Sequence, residues 1–239
     1  MTTRRSMLVL GMSVTIAAAA NHAEASSIVI TNAGFETPAI GNNTFQLGSF
    51  AGWLVTPSLV STTADGGVFD PGAQYPGAIP EGENVAFSSD GLAFGWSSGI
   101  LSQVLTATLA SSTMYTLQVD VGDRLDTILT GYLIELLAGS TVLASDNSSL
   151  APVSGFLTST IQFQSGASPA ELGQTLQIRL RLIGSQVGQV AQVNFDNVRL
   201  DATLVDASVP EPTTLLLLGS GLAAAGLRRR KTRSADRRV

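Results

Sequence analysis

The 239-residue chain carries 13 Lys plus Arg against 18 Asp plus Glu, a net charge of −5, and its basic residues crowd the two ends. Between residues 26 and 208 only Arg124, Arg179, Arg181 and Arg199 stand against fifteen acids, with no lysine, histidine or cysteine. This excludes Ser-His-Asp and Cys-His catalysis, histidine- or thiolate-bound metal, disulfides and Schiff-base lysine, and so acidic a body repels nucleic acid phosphates.

Residues 1–25 read as an export signal. Arg4 and Arg5 form a positive n-region, and Met7 to Ala20 is an apolar run too short to span a membrane comfortably. Ala23 and Ala25 supply the small side chains a signal peptidase needs, which places cleavage before Ser26. The general secretory and twin-arginine routes both remain open. The segment Thr3-Arg4-Arg5-Ser6-Met7-Leu8 resembles a twin-arginine signal but lacks the usual lysine after it.

Residues 26–208 show short alternating runs separated by Gly, Ser, Asn, Asp and Pro, with no long helical period. Strands are predicted at 27–31, 52–56, 84–88, 100–106, 140–145, 157–164 and 190–204. Tyr115, Leu117, Val119 and Val121 share one parity, as do Tyr132, Ile134 and Leu136. Leu176, Ile178, Leu180 and Leu182 form another inward set, which puts Arg179 and Arg181 on the wet face. Roughly ten strands without intervening helices predict an antiparallel β-sandwich. The Gly/Pro-rich stretch 65–82 reads as a long loop. Its Phe69 and Tyr75 suit either a cap on the sandwich edge or part of a ligand platform.

In the last strand, Val193 and Phe195 lie on one parity and Val198 and Leu200 on the other. All four can face inward only if one residue is inserted, which predicts a β-bulge at Asp196-Asn197. Glu81 and Glu83 are two apart and share a face if extended, a spacing that alone does not make a glycosidase. Asp120, Asp123 and Asp126 lack the order of a calcium loop and read as a solvated acidic turn.

The C-terminus has three parts in order: Pro210-Glu211-Pro212, the apolar run Thr213 to Leu227, and Arg228-Arg229-Arg230-Lys231. As a helix the run covers about 22 Å, short of a hydrocarbon core of about 30 Å. Residues 209–231 resemble the PEP-CTERM sorting signal of exported bacterial proteins, leaving 232–239 as a cytoplasmic basic tail. That resemblance implies a short transmembrane helix, retention in the inner membrane during export, processing by exosortase, and release or attachment at the outer surface.

The body carries Asn32-Ala33-Gly34-Phe35-Glu36, then Gly52-Trp53, and at its end Phe195-Asp196-Asn197-Val198. These segments resemble the galactose-binding-like jelly roll of carbohydrate-binding modules. The resemblance implies an all-β jelly roll and a structural calcium held by Glu36 and Asp196. The alternative is that both acids accept backbone N–H groups in turns. Sugars stack on exposed aromatic rings, which singles out Trp96 and Tyr75 as ligand-binding candidates. The sequence thus predicts a non-enzymatic exported protein that binds extracellular polysaccharide. The alternatives are a structural biofilm matrix protein with no discrete ligand and a carboxylate-based glycosidase.

Overall fold

The computed structural model describes residues 24–59, 63–91, 96–205 and 220. The two expected helices, Ala23 of the cleavage site, and Pro210, Glu211, Pro212 and Arg228 to Arg230 of the sorting motif lie outside the described residues. Among the described residues no helix is long and apolar enough to cross a membrane.

Strands follow one another as β1 (Ala25–Ile28), β2 (Phe45–Leu47), β3 (Leu54–Pro57), β4 (Ala64–Phe69), β5 (Val85–Ser89) and β6 (Ser97–Thr108). They continue as β7 (Thr113–Gly122), β8 (Tyr132–Ala138), β9 (Thr141–Asn147), β10 (Phe156–Gln164), β11 (Thr175–Leu182) and β12 (Gln192–Leu204). The front layer runs β10-β7-β12-β5-β4, with β1 paired to β12 and β2 to β4. The back layer runs β6-β11-β8-β9, with β3 on β6. A short parallel pairing of Ala64 with Ser97 and Asp65 with Ser98 joins the layers at one edge. The result is the antiparallel jelly-roll sandwich expected from the alternation. Ala25 pairs with Thr203, so β1 begins on the residue expected to close the signal peptide.

The predicted inward sets fill the core. Tyr115, Leu117, Val119 and Val121 are buried, as are Tyr132, Ile134, Leu136, Leu176, Ile178, Leu180 and Leu182. Trp53 is buried against Phe35 at 5.2 Å between ring centroids. On the opposite face of β11, Arg179 pairs with Glu135 of β8 at 2.6 Å.

The bulge in β12 forms where parity demands it. Asp196 stands opposite Asp120 and Arg199 opposite Gln118, so three steps on β12 match two on β7. Asn197 takes φ 50°, a left-handed conformation that asparagine tolerates. Val193, Phe195, Val198 and Leu200 are therefore all buried.

The stretch 65–82 departs from the expected loop, because its first five residues belong to β4. Gly66 and Gly67 are there for close approach rather than for a turn. A Cβ on Gly66 would come within 3.1 Å of the Gly99 Cα, and one on Gly67 would run into the Gln46 carbonyl. Two glycines thus let β4 touch β6 on one side and β2 on the other. The irregular segment is 70–84, and it folds back over the outer face of the front layer.

Candidate active site

Register across the front layer lines up a row of outward side chains. Leu47 stands opposite Gly67, Gly67 opposite Phe87, Phe87 opposite Asn194, Asn194 opposite Gly122, and Gly122 opposite Phe156. Residues directly opposite in a sheet share a face. Phe45 and Phe69 form a pair in the next row, and Ser89 and Gln192 a pair on the other side. An outward face would ordinarily be polar and wet, yet Phe69, Val85 and Phe87 are buried. The covering comes partly from segment 70–84, which sets Ile79 against this cluster and packs Tyr75 on Phe156 with ring centroids 4.6 Å apart and planes tilted by 39°. Gly122 leaves room for that contact, since a Cβ there would meet both the Phe156 ring and the Tyr75 hydroxyl.

The floor left open is a groove of about 320 Å³ with Phe45, Phe69, Phe87 and Trp96 among its walls. That volume suits a small organic molecule. Phe87 meets Phe45 and Phe69 edge to face, at 6.1 and 6.5 Å between ring centroids.

Two ionisable side chains enter this aromatic lining, Asp65 and Arg124. Asp65 is 8% exposed. Burial raises the pKa of its carboxyl, the nearby Asp90 charge adds to the rise, and hydrogen bonds from Ser89 and the Gly91 backbone only partly oppose it. A Cβ on Gly91 would collide with both Asp65 Oδ2 and Trp96 Cβ, so that glycine lets the acid and the indole stand side by side. The Arg124 guanidinium lies 4.6 Å from the Phe69 ring centroid. It donates from Nε and Nη2 to Asp126, at 3.0 and 2.7 Å.

The two sequence-predicted ligand residues flank this face in different ways. Trp96 lines the groove as a half-buried wall. Tyr75 is buried, and its hydroxyl donates to Asn194 Oδ1 at 2.9 Å, so it supports the floor rather than offering an open platform. Burial pushes its phenol well above its ordinary pKa. Glu36 and Asp196 converge on one turn. Glu36 Oε1 accepts from the Glu83 and Asn84 backbone N–H groups at 3.0 and 2.8 Å, and Asp196 Oδ2 accepts from Glu81 N at 2.8 Å. These are the turn-acid hydrogen bonds of the second reading. Asp196 has no exposed surface, and burial first, then the charges of Glu81 and Asp120, push its carboxyl up to about 8. The buried Asn84 Oδ1 beside them has no hydrogen-bond partner. Among the described residues no three acid, histidine or cysteine side chains group to hold a metal. Asp120 is not a solvated turn acid: it is 5% exposed and accepts from Thr158 Oγ1 and Asn197 Nδ2, because it faces the bulge across the ladder.

Residues 26–201 match the HpiC1-like family, described as HpiC1 cyclase. The chain belongs to the HpiC1-like cyclase family. The solved structures agree. A Stig cyclase, Fisc from Fischerella sp. TAU in complex with (3Z)-3-(1-methyl-2-pyrrolidinylidene)-3H-indole, is 31% identical, with 77% of this chain and 100% of that one covered and a TM-score of 0.63. A cyclase from Fischerella sp. TAU in complex with 4-(1H-indol-3-yl)butan-2-one is 32% identical, with 76% and 100% covered and a TM-score of 0.60. No curated protein matches the chain. Residues 208–231 match the PEP-CTERM protein-sorting motif, so this family member is an exported exosortase substrate.

These findings correct the expectation of a non-enzymatic protein, since the family and its solved members are cyclases. The reason it was missed is chemical. A groove of aromatic rings with one buried acid needs no histidine, nucleophile or metal motif, and those absences had ruled out only other chemistries. Sequence reasoning also passed over Asp65, Phe87, Arg124 and Gln192. The Asp65/Gly67/Phe69 alternation was the available signal for the first. Arg124 was the one body arginine outside an alternating run.

Proposed function

We propose that this exported protein is a cyclase that closes a ring on an aromatic, indole-like substrate held in the front-layer groove. The observation that carries this reading is Asp65, a buried carboxyl biased toward its acid form inside a wall of aromatic rings. In the proposed step Asp65 donates its proton to one carbon of a substrate double bond, whose π pair forms the new C–H bond. The cation left on the other carbon is stabilised by the faces of the surrounding rings. The substrate's own aromatic ring attacks it to form the C–C bond, then loses a proton to the Asp65 carboxylate. The net change is an isomerisation and needs no co-reactant. The test is a screen of 3-alkenylindoles for an isomeric product, with Asp65→Asn as the decisive variant. No cyclisation by the wild type together with binding of polysaccharide would return the protein to the carbohydrate-binding reading.

We also propose that calcium binds at the turn 81–84 that Glu36 and Asp196 both hold, with Asn84 as a further oxygen. The unpartnered Asn84 Oδ1 supports this, because calcium takes neutral and charged oxygens together. Its contribution is to fix segment 81–84 against β12; no proton step involves it. At a calcium concentration about a hundred times the dissociation constant, binding stabilises by about 2.7 kcal/mol, or about 5–10 °C in Tm. Chelation should lower the melting temperature of the wild type by that amount and leave Asp196→Asn unmoved. Equal curves with and without chelator in the wild type leave the turn-acid reading.

The sorting segment, we propose further, is cleaved near Pro210-Glu211-Pro212, freeing the cyclase from the inner membrane. Prolines on both sides of Glu211 disfavour regular helix and strand pairing, a sequence that suits access by a protease. Glu211→Ala should leave full-length chain in the inner-membrane fraction. Unchanged release of that variant, or permanent retention of the wild type in a host with exosortase, rejects this processing.

A further inference from the structure

Resting on the cyclase reading, the geometry points to Arg124 as the residue that sets the substrate class: we propose that this cyclase takes an aromatic compound bearing a carboxylate. Asp65 and Arg124 are the ionisable residues lining the groove, and burial biases Asp65 toward its neutral form. Arg124 is thus the cation among the residues lining the groove, although the body of the chain is strongly acidic.

The guanidinium is held in one orientation. Its Cζ lies over the Phe69 ring, 4.6 Å from the centroid, and its Nε/Nη2 edge is occupied by both oxygens of Asp126. The side chain of Arg124 is 11% exposed while that of Asp126 is 51% exposed, so the acid belongs to the solvated rim and the arginine to the groove. Asp126 works here as a positioning residue. With the Nε/Nη2 edge occupied by Asp126, the Nη1/Nη2 end is the one left for a ligand. That end offers two parallel N–H donors, the fork that a carboxylate accepts in bidentate fashion.

A neutral hydrocarbon substrate would leave those donors without partners as it expelled water from the groove, which penalises binding. An ammonium-bearing substrate would meet like charge. A carboxylate satisfies both requirements, and the aromatic walls hold the ring attached to it. Lysine is a poorer substitute for Arg124, because it keeps the charge but a point charge does not fork.

Calorimetric titration of the mature protein with indole-3-propionate, 4-(1H-indol-3-yl)butan-2-one and tryptamine tests this directly. The wild type should bind the propionate at least tenfold more tightly than the ketone and show no binding of tryptamine. In Arg124→Gln the propionate-to-ketone ratio should fall to about one, and in Arg124→Lys it should lie between. A wild type that binds the ketone as tightly as the propionate, or an Arg124→Gln variant with the ratio intact, overturns the assignment and leaves the cyclase reading standing. Failure of all three probes to bind counts against the aromatic-substrate reading itself.

Discussion

Replacing Asp65 with asparagine is expected to slow cyclisation by about 10²–10⁴-fold, the usual effect of removing a positioned general acid. Asparagine keeps the size of the side chain and can still accept from Ser89, so the groove and its affinity for 4-(1H-indol-3-yl)butan-2-one should change little. The pH profile adds a readout that damage to packing would not produce. Burial raises the Asp65 pKa. The active species is the protonated acid, so the wild-type rate is full below that raised value and falls as pH rises through it. In Asp65→Asn the residual rate should be flat across the same range. The comparison uses a 3-alkenylindole that the wild type converts, with melting curves confirming that both proteins are folded. Full activity in Asp65→Asn would falsify its role as the proton donor.

The parts of this fold written in alternation were legible in the sequence. The parity of Tyr115 to Val121 and of Leu176 to Leu182 gave β7 and β11, and the parity switch between Phe195 and Val198 gave the bulge. These signals are local, because side-chain direction along a strand has period two. The candidate site was not local. It is assembled by register across β2, β4, β5 and β12, and no single segment records which residues will stand opposite one another. Asp65 illustrates the difficulty. Followed by Gly66 and Gly67, it reads as a turn, whereas the glycines serve close packing of β4 between β2 and β6. Phe69 and Tyr75 suit either an edge cap or a ligand platform by sequence, and only the fold shows that one lines the groove while the other braces its floor through Asn194. The sorting signal was legible because it is a linear sequence of three parts that needs no fold to be read.

Asp146→Ala is expected to cost about 3 kcal/mol, or about 6–12 °C in melting temperature for a domain of this size. Asp146, on β9, is 6% exposed. It accepts from Tyr132 Oη at 2.8 Å on β8, from Ser159 Oγ at 2.5 Å on β10, and from the Ser149 hydroxyl and backbone N–H at 2.8 and 2.9 Å. β9 belongs to the back layer and β10 to the front, so one carboxylate ties the two layers together at this edge. Burial alone would raise its pKa, but the donors from Ser159, Ser149 and Tyr132 outweigh burial and hold it below the ordinary carboxylate value. A depressed folded pKa contributes stability that is fully present above the unfolded value and disappears as pH falls through the folded one. The gap between wild type and Asp146→Asn should therefore be widest near neutral pH and should narrow progressively in acid. The alanine variant leaves buried donors without an acceptor and stays destabilised throughout. Denaturant titrations of wild type, Asp146→Asn and Asp146→Ala at neutral and acidic pH measure all three differences. A wild type-to-asparagine gap independent of pH would show that the carboxylate's charge adds nothing to the link between the layers.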